Sequence, residues 1–218
     1  MMIYNCHKIN IPPVIDGRLD DGAWSHAEAV NLVLSEDGAA ASKPTSVKLC
    51  WDDDCLYLAF DCIDQDIWGT MFNRDDLIWN EEVVEAFLSP YGDLTHYYEL
   101  NVSPRNVVFD TEISASTDDP PVFEGRKEWD IAGLKTAVVV DGTLDDRNDI
   151  DKGWTVEIAI PFASLGRKTP KPGEKWRGNL YRIDLSPEPV EFQAWSPTLL
   201  SPANFHRPSR FGTIVFTE

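Results

Sequence analysis

Chemistry in this chain begins with an acid in an apolar place. In the stretch Arg74–Pro90, RDDLIWNEEVVEAFLSP, Val83, Glu85 and Phe87 share one face of a period-two pattern, while Val84, Ala86 and Leu88 share the other. A carboxylate on an apolar strand face costs free energy unless something pairs with it. Just upstream, Trp79 stands among the polar residues Asp75, Asp76 and Asn80, as a loop aromatic does. A rim aromatic and a held acid suit a pyranose, whose C–H faces stack on rings and whose equatorial hydroxyls need polar partners.

Other residues extend this set. Trp195, between Gln193 and Ser196-Pro197, is a second loop aromatic. Arg182, on a strand with Leu180 and Asp184 on its side, is the candidate counter-charge for Glu85, since an Arg–carboxylate fork is directional and leaves both members able to bond a hydroxyl. A purely structural buried ion pair is the competing reading. Asn101 and Glu99 point the same way as Tyr97 and face either the site or solvent. Trp51 and Trp154 alternate inside strand patterns and are expected in the core.

Three rival chemistries use the same residue types. Glu85 with Glu99 or Asp184 could form the carboxylate pair of a glycoside-processing enzyme; no G-x-S-x-G or H-E-x-x-H motif accompanies it. Haem b binding would need axial ligands, for which Met71 and His96 are the candidates. Cys6, Cys50, Cys55 and Cys62 lack the C-x2-C spacing of zinc sites and read as free buried thiols. Asp61, Asp64 and Asp66, and the pair Asp145-Asp146, are either calcium ligands or solvated charge runs.

The elements that must position these residues are strands. The 218 residues, 43% hydrophobic and 11% aromatic, suit one large all-β domain spanning 1–218. Extended pieces are expected at Ile9–Val14, Thr45–Trp51 and Leu56–Cys62, and a three-strand meander over about 83–113. Further strands are expected at Leu134–Val140, Trp154–Ile160, Trp176–Asp184 and Phe211–Phe216. Ser114–Lys127 and Ser186–Ser209 read as loops. Asp20 or Asp21 caps a short helix through Ala23–Ala29, and Pro161–Leu165 forms a helical turn. Short strands separated by turn signals predict an antiparallel β-sandwich, jelly-roll or immunoglobulin-like, with one or two short helices.

With 37 acidic against 19 basic residues the net charge is −18, which disfavours nucleic acid and anionic membrane surfaces as partners. No run of about 18 apolar residues predicts a membrane span. The stretch MMIYNCHKINIPPVIDG has neither a basic n-region nor an apolar h-region, so the chain as it stands is expected to be cytoplasmic, and extracellular only if a leader has been removed.

An ordered set of motifs, IDGRLDDGAW, LCWDDDCLYLAFDCID, IWNEEVVEAFLSP, HYYELNVSPRN and RFGTIVF, resembles the family 9 carbohydrate-binding modules over nearly the whole chain. The later part, WRGNLYRID…AWSP…NFHRPSRFGTIVF, is similar to the stand-alone family-9-like proteins of bacteria. The resemblance implies a jelly-roll-like sandwich that binds mono-, oligo- or polysaccharides without cleaving them. It implies a sugar ring clamped between two tryptophans, at the positions of Trp79 and Trp195, with Glu85 as the acid on the strand. It requires no cofactor; it also implies structural calcium, whose ligands it does not assign to residues here.

Overall fold

The computed structural model describes residues 2–186 and 189–218. Its strands are β1 (Ile3–Lys8), β2 (Val30–Asn31), β3 (Val33–Leu34), β4 (Thr45–Trp51), β5 (Cys55–Ile63), β6 (Val83–Ser89) and β7 (His96–Val102). They continue as β8 (Val108–Ala115), β9 (Phe123–Arg126), β10 (Lys135–Asp141), β11 (Gly153–Pro161), β12 (Lys175–Asp184), β13 (Glu191–Ala194) and β14 (Gly212–Thr217). One short helix, α1 (Gly22–His26), and 3-10 turns at Ile78–Asn80, Phe162–Leu165 and Pro208–Arg210 complete the described elements.

All strands belong to one curled sheet with the order β10-β11-β5-β4-β1-β14-β12-β6-β7-β8-β9; β13 joins β12 to β3, and β2 pairs with β4. The hairpins and the meander β6–β8 are antiparallel as expected. The sheet as a whole is mixed, because β1 runs parallel to both β4 and β14. The N-terminal strand is Ile3–Lys8 rather than Ile9–Val14: Pro12 and Pro13 cannot donate to a ladder, whereas Ile3–Lys8 finds partners on both sides. Two further strands lie inside stretches expected to be loops. β9 extends the meander by pairing with β8, and β13 pairs with β12. Helix α1 is shorter than expected. The Asp21 side chain accepts from Val14 N at 2.8 Å instead of capping it.

Strand alternation divides the apolar residues into two main groups. Val84, Ala86 and Leu88 of β6 join Leu100 and Val102 of β7 and Leu180 of β12 in the main core, which also receives Leu49, Trp51, Leu58, Phe60, Trp154 and Trp176. The curl thus brings β4, β5 and β11 over β6, β7, β12 and β14. Val83 and Phe87 point the other way, into a second group with Tyr97, Phe109, Ile113, Tyr181 and Phe205. Trp24 and Ala27 of the helical segment seat a third, small group against Tyr57 and Ala59. No helix among the described residues is long and apolar enough to cross a membrane.

Candidate functional site

Glu85 lies on the second face. In register it stands opposite Asn101 on β7 and Tyr181 on β12, and directly paired residues point to the same side of a sheet. Above this face is a cavity of about 400 Å3. Its floor is Glu85 and Phe87 of β6, Glu99 of β7, and Phe109, Thr111 and Ile113 of β8. One wall is Trp79, carried by the 3-10 turn Ile78–Asn80 and set edge-on against Phe109 with ring centroids 4.6 Å apart. Ile183, Phe192 and the loop residues Ala203–His206 form the other wall, and Phe123, Gly125 and Lys127 the rim. Phe123, 41% exposed, stacks on His206 at 3.7 Å between ring centroids. Apolar walls with a few polar groups at the bottom are the common design of a small-ligand site.

The polar floor is acidic. Glu85 is buried and makes no hydrogen bond or ion pair among the described residues. Burial pushes its carboxyl well above the usual range, and the neighbouring Glu99 adds to the shift. Burial also raises Glu99, to about 7, against the hydrogen bond from Asn101 Nδ2 to Glu99 Oε1 at 3.0 Å. His206 Nε2 is 3.8 Å from Glu99 Oε2, but burial lowers this imidazole to about 4, so at neutral pH it supplies no positive charge. Its Nδ1 shares a 2.8 Å hydrogen bond with Tyr97 Oη.

The residues expected to form a site separate on this frame. Trp79 lines the cavity, half-buried, and Glu85 is on its floor. Asn101, beside Glu85 on the same sheet face, is fully buried and bonds Glu99 without lining the cavity. Trp195 does not join them: it is 1% exposed in the main core, edge-on to Tyr4 at 6.3 Å. Asn179 fixes it there, bonding Ser196 N and O at 2.9 and 2.8 Å. Gly212 makes the room, since a Cβ at that position would lie 2.3 Å from the indole. Because β13 alternates, Phe192 and Ala194 face the second group while Trp195 faces the core.

Arg182 likewise is not the partner of Glu85. It pairs in register with Val84 and so projects to the opposite face. There its Nη2 lies 2.7 Å from Asp64 and 3.0 Å from Asp184, with Glu82 at 3.9 Å; all four side chains are fully buried. Lys43 Nζ reaches Asp184 at 3.0 Å. Burial, with Asp184 and Asp64 adding, pushes Glu82 up to about 9, so it is neutral at pH 7. Two cations then face two carboxylates.

This arrangement bears on calcium. Asp64, Glu82 and Asp184 bring carboxylate oxygens within 4.8 Å of one another, as do Asp75, Asp110 and Asp130. The first set holds Arg182 and the second holds Arg74, bonded to Asp110 and, at 2.9 Å, to Asp130. A divalent ion needs several unneutralised oxygen ligands, and an arginine already takes that place in each set. Neither set fits calcium. Asp66 pairs with Arg147, and Asp145 accepts from Gly69 N at 2.9 Å.

The rival chemistries also separate. Glu99 joins Glu85 at the cavity, whereas Asp184 is in the core group. Met71 and His96 do not line the cavity, and His96 bonds Glu112 at 2.8 Å. Cys6, Cys50, Cys55 and Cys62 are free thiols, three of them buried. Sequence reasoning missed Phe123, Phe192, Phe205 and His206. For Phe123 and Phe192 the signal was the alternation of FEGR and EFQA within stretches rich in turn residues; Phe205 and His206 lie outside any strand and had no such signal.

An all-β frame with one aromatic, acid-floored cavity defines a small-ligand-binding domain. Residues 15–218 match the family described as "Carbohydrate family 9 binding domain-like", and the chain belongs to that family, whose members bind carbohydrate and are not catalytic. An extracellular protein of Arthroderma benhamiae is 31% identical over 79% of this chain and 78% of its own. Exoglucanase XynX of Acetivibrio thermocellus is 31% identical over 70% of this chain, which spans only 12% of that enzyme. Among solved structures, a protein of Bacteroides uniformis superposes with a TM-score of 0.72 at 17% identity, covering 99% of both chains. A family 9 module of Caldicellulosiruptor kristjanssonii in complex with cellotriose gives 0.66 at 19% identity, covering 99% of this chain and 93% of that one.

Proposed function

We propose that this chain, as a single domain, holds a saccharide unit in the cavity over β6, β7 and β8. The ring lies against Trp79, and the carboxyls of Glu85 and Glu99 read its polar equator. The observation that carries this reading is the cavity itself, with aromatic walls closing on two buried acids that lack a protein counter-ion. The wall opposite Trp79 is Phe192 and Phe205 in place of a second tryptophan. The curled sheet is read in the same terms, as a jelly-roll-like sandwich whose second face carries the ligand. No metal is needed at either acid set.

A saccharide ligand suggests an extracellular location, in keeping with the description of the fungal relative. Relatives in complex with glucose and cellotriose make those sugars the first probes. Trp79→Ala should abolish the sugar-induced change in tryptophan fluorescence with a modest drop in melting temperature. Trp195→Ala should cost about 3–5 kcal/mol of stability, as loss of a large core side chain does. If Trp79→Ala responds to sugar like the parent protein, the cavity is not the site.

A further inference from the structure

The cavity floor carries two buried acids and, among the described residues, no buried cation. Among the described residues Glu85 has no hydrogen-bond or ion-pair partner, and Glu99 Oε2 has only His206 Nε2 at 3.8 Å. Asn101 Oδ1, beside Glu85, is buried and unbonded. Asn101 Nδ2 is used on Glu99, Tyr181 Oη on the Phe205 carbonyl at 3.0 Å, and Tyr97 Oη in its bond with His206; the donors on Thr111, Asn204 and the Trp79 indole, which line the cavity, are neutral. Lys127, the one cation lining the cavity, is exposed at the rim. A hydroxyl brings one donor and two lone pairs but no positive charge to offset two buried acids. An ammonium brings three donors and no acceptor, and charge-assisted bonds to carboxylates are the stronger kind. An anionic sugar would meet two acids and no buried cation.

Resting on the saccharide reading above, we propose that the group seated on Glu85 and Glu99 is a protonated primary amine, so that the preferred ligand is an amino sugar. Burial favours the protonated form of both acids in the free protein. An incoming ammonium favours the carboxylates instead, and binding therefore releases protons to solvent.

Calorimetric titration with glucosamine, glucose and N-acetylglucosamine at pH 6.5 tests this. Glucosamine should bind at least about tenfold more tightly than glucose, a difference of about 1.4 kcal/mol. N-acetylglucosamine, uncharged and carrying an added acceptor, should bind more weakly than glucosamine. Repeating the glucosamine titration in buffers of different ionisation enthalpy should report proton release. Glu85→Gln should bring glucosamine to the affinity of glucose. Glucose binding as tightly as glucosamine to the parent protein would overturn the amine assignment and leave the saccharide reading standing. Binding of none of the three sugars, or of cellotriose, would overturn both.

Discussion

Glu82 and Glu85 are near neighbours in sequence and lie in opposite worlds. Glu82 joins Asp64 and Asp184 on the core side, where Arg182 and Lys43 neutralise the group. Glu85 joins Glu99 on the cavity side, where none of the described residues does. Both groups are buried and both contain acids raised by desolvation. The difference is compensation. A buried charge with its counter-ion in place is part of the structure. A buried acid without one is either a defect or a site, and the open cavity above Glu85 is the ground on which we propose it as a site.

The contrast can be broken most severely at Arg182. Arg182→Met leaves Asp64 and Asp184 facing each other without their main counter-charge, and should lower unfolding free energy by about 3–5 kcal/mol in urea titrations. No substitution of Glu85 should approach that loss. If Arg182→Met is as stable as the parent protein, the core group is not the structural one.

A smaller effect comes from pH. Glu99 is raised in the folded state to about 7, so its stabilising contribution is full below the ordinary glutamate range and is lost as pH rises through about 7. His206, lowered to about 4, has the opposite sign on the acid side: the unfolded chain takes up its proton first, so stability falls as pH drops from about 6.5 to 4. Between about pH 4.5 and 7 the two contributions oppose each other, so Glu99→Gln should remove the falling one and make melting temperature rise more steeply with pH over that window, by an amount on the order of 1–2 kcal/mol. An unchanged slope in the variant would mean that the acid pair does not titrate as described. The smallest effect is expected from chelation. With arginines in both acid sets, EDTA should move the melting temperature by less than about 1 °C, since ligand removal destabilises only what the ligand had stabilised.

Trp79 and Glu85 were legible in the sequence as neighbours at one site, and what was not turns largely on register. The alternation around Glu85 placed it correctly, because a run such as VVEAFLS has only two faces to choose from. The pairing with Arg182 failed because sequence shows which residues share a strand face but not which strand face meets which; one residue of register sends a side chain to the other side. The structure sets Val84, not Glu85, opposite Arg182. Trp195 failed for a related reason. Its setting among Gln, Ser and Pro reads as loop, yet it directly follows β13, whose alternation points it inward. The space that receives it is left by Gly212, in a distant part of the chain. Phe192, on the same short strand, faces the cavity instead.

The parallel strand β1 carries a consequence for how the chain reaches its native state. Strands β4 and β14 meet only through β1, so residues 3–8 and 212–217 form the middle of the sheet and not its edge. The hairpin β4–β5 and the meander β6–β8 can assemble from local contacts, but the seam between them waits for pairings that span almost the whole sequence. Loop-closure entropy of that kind slows the final step. The half-built protein would meanwhile expose open strand edges and the apolar face destined for the main core.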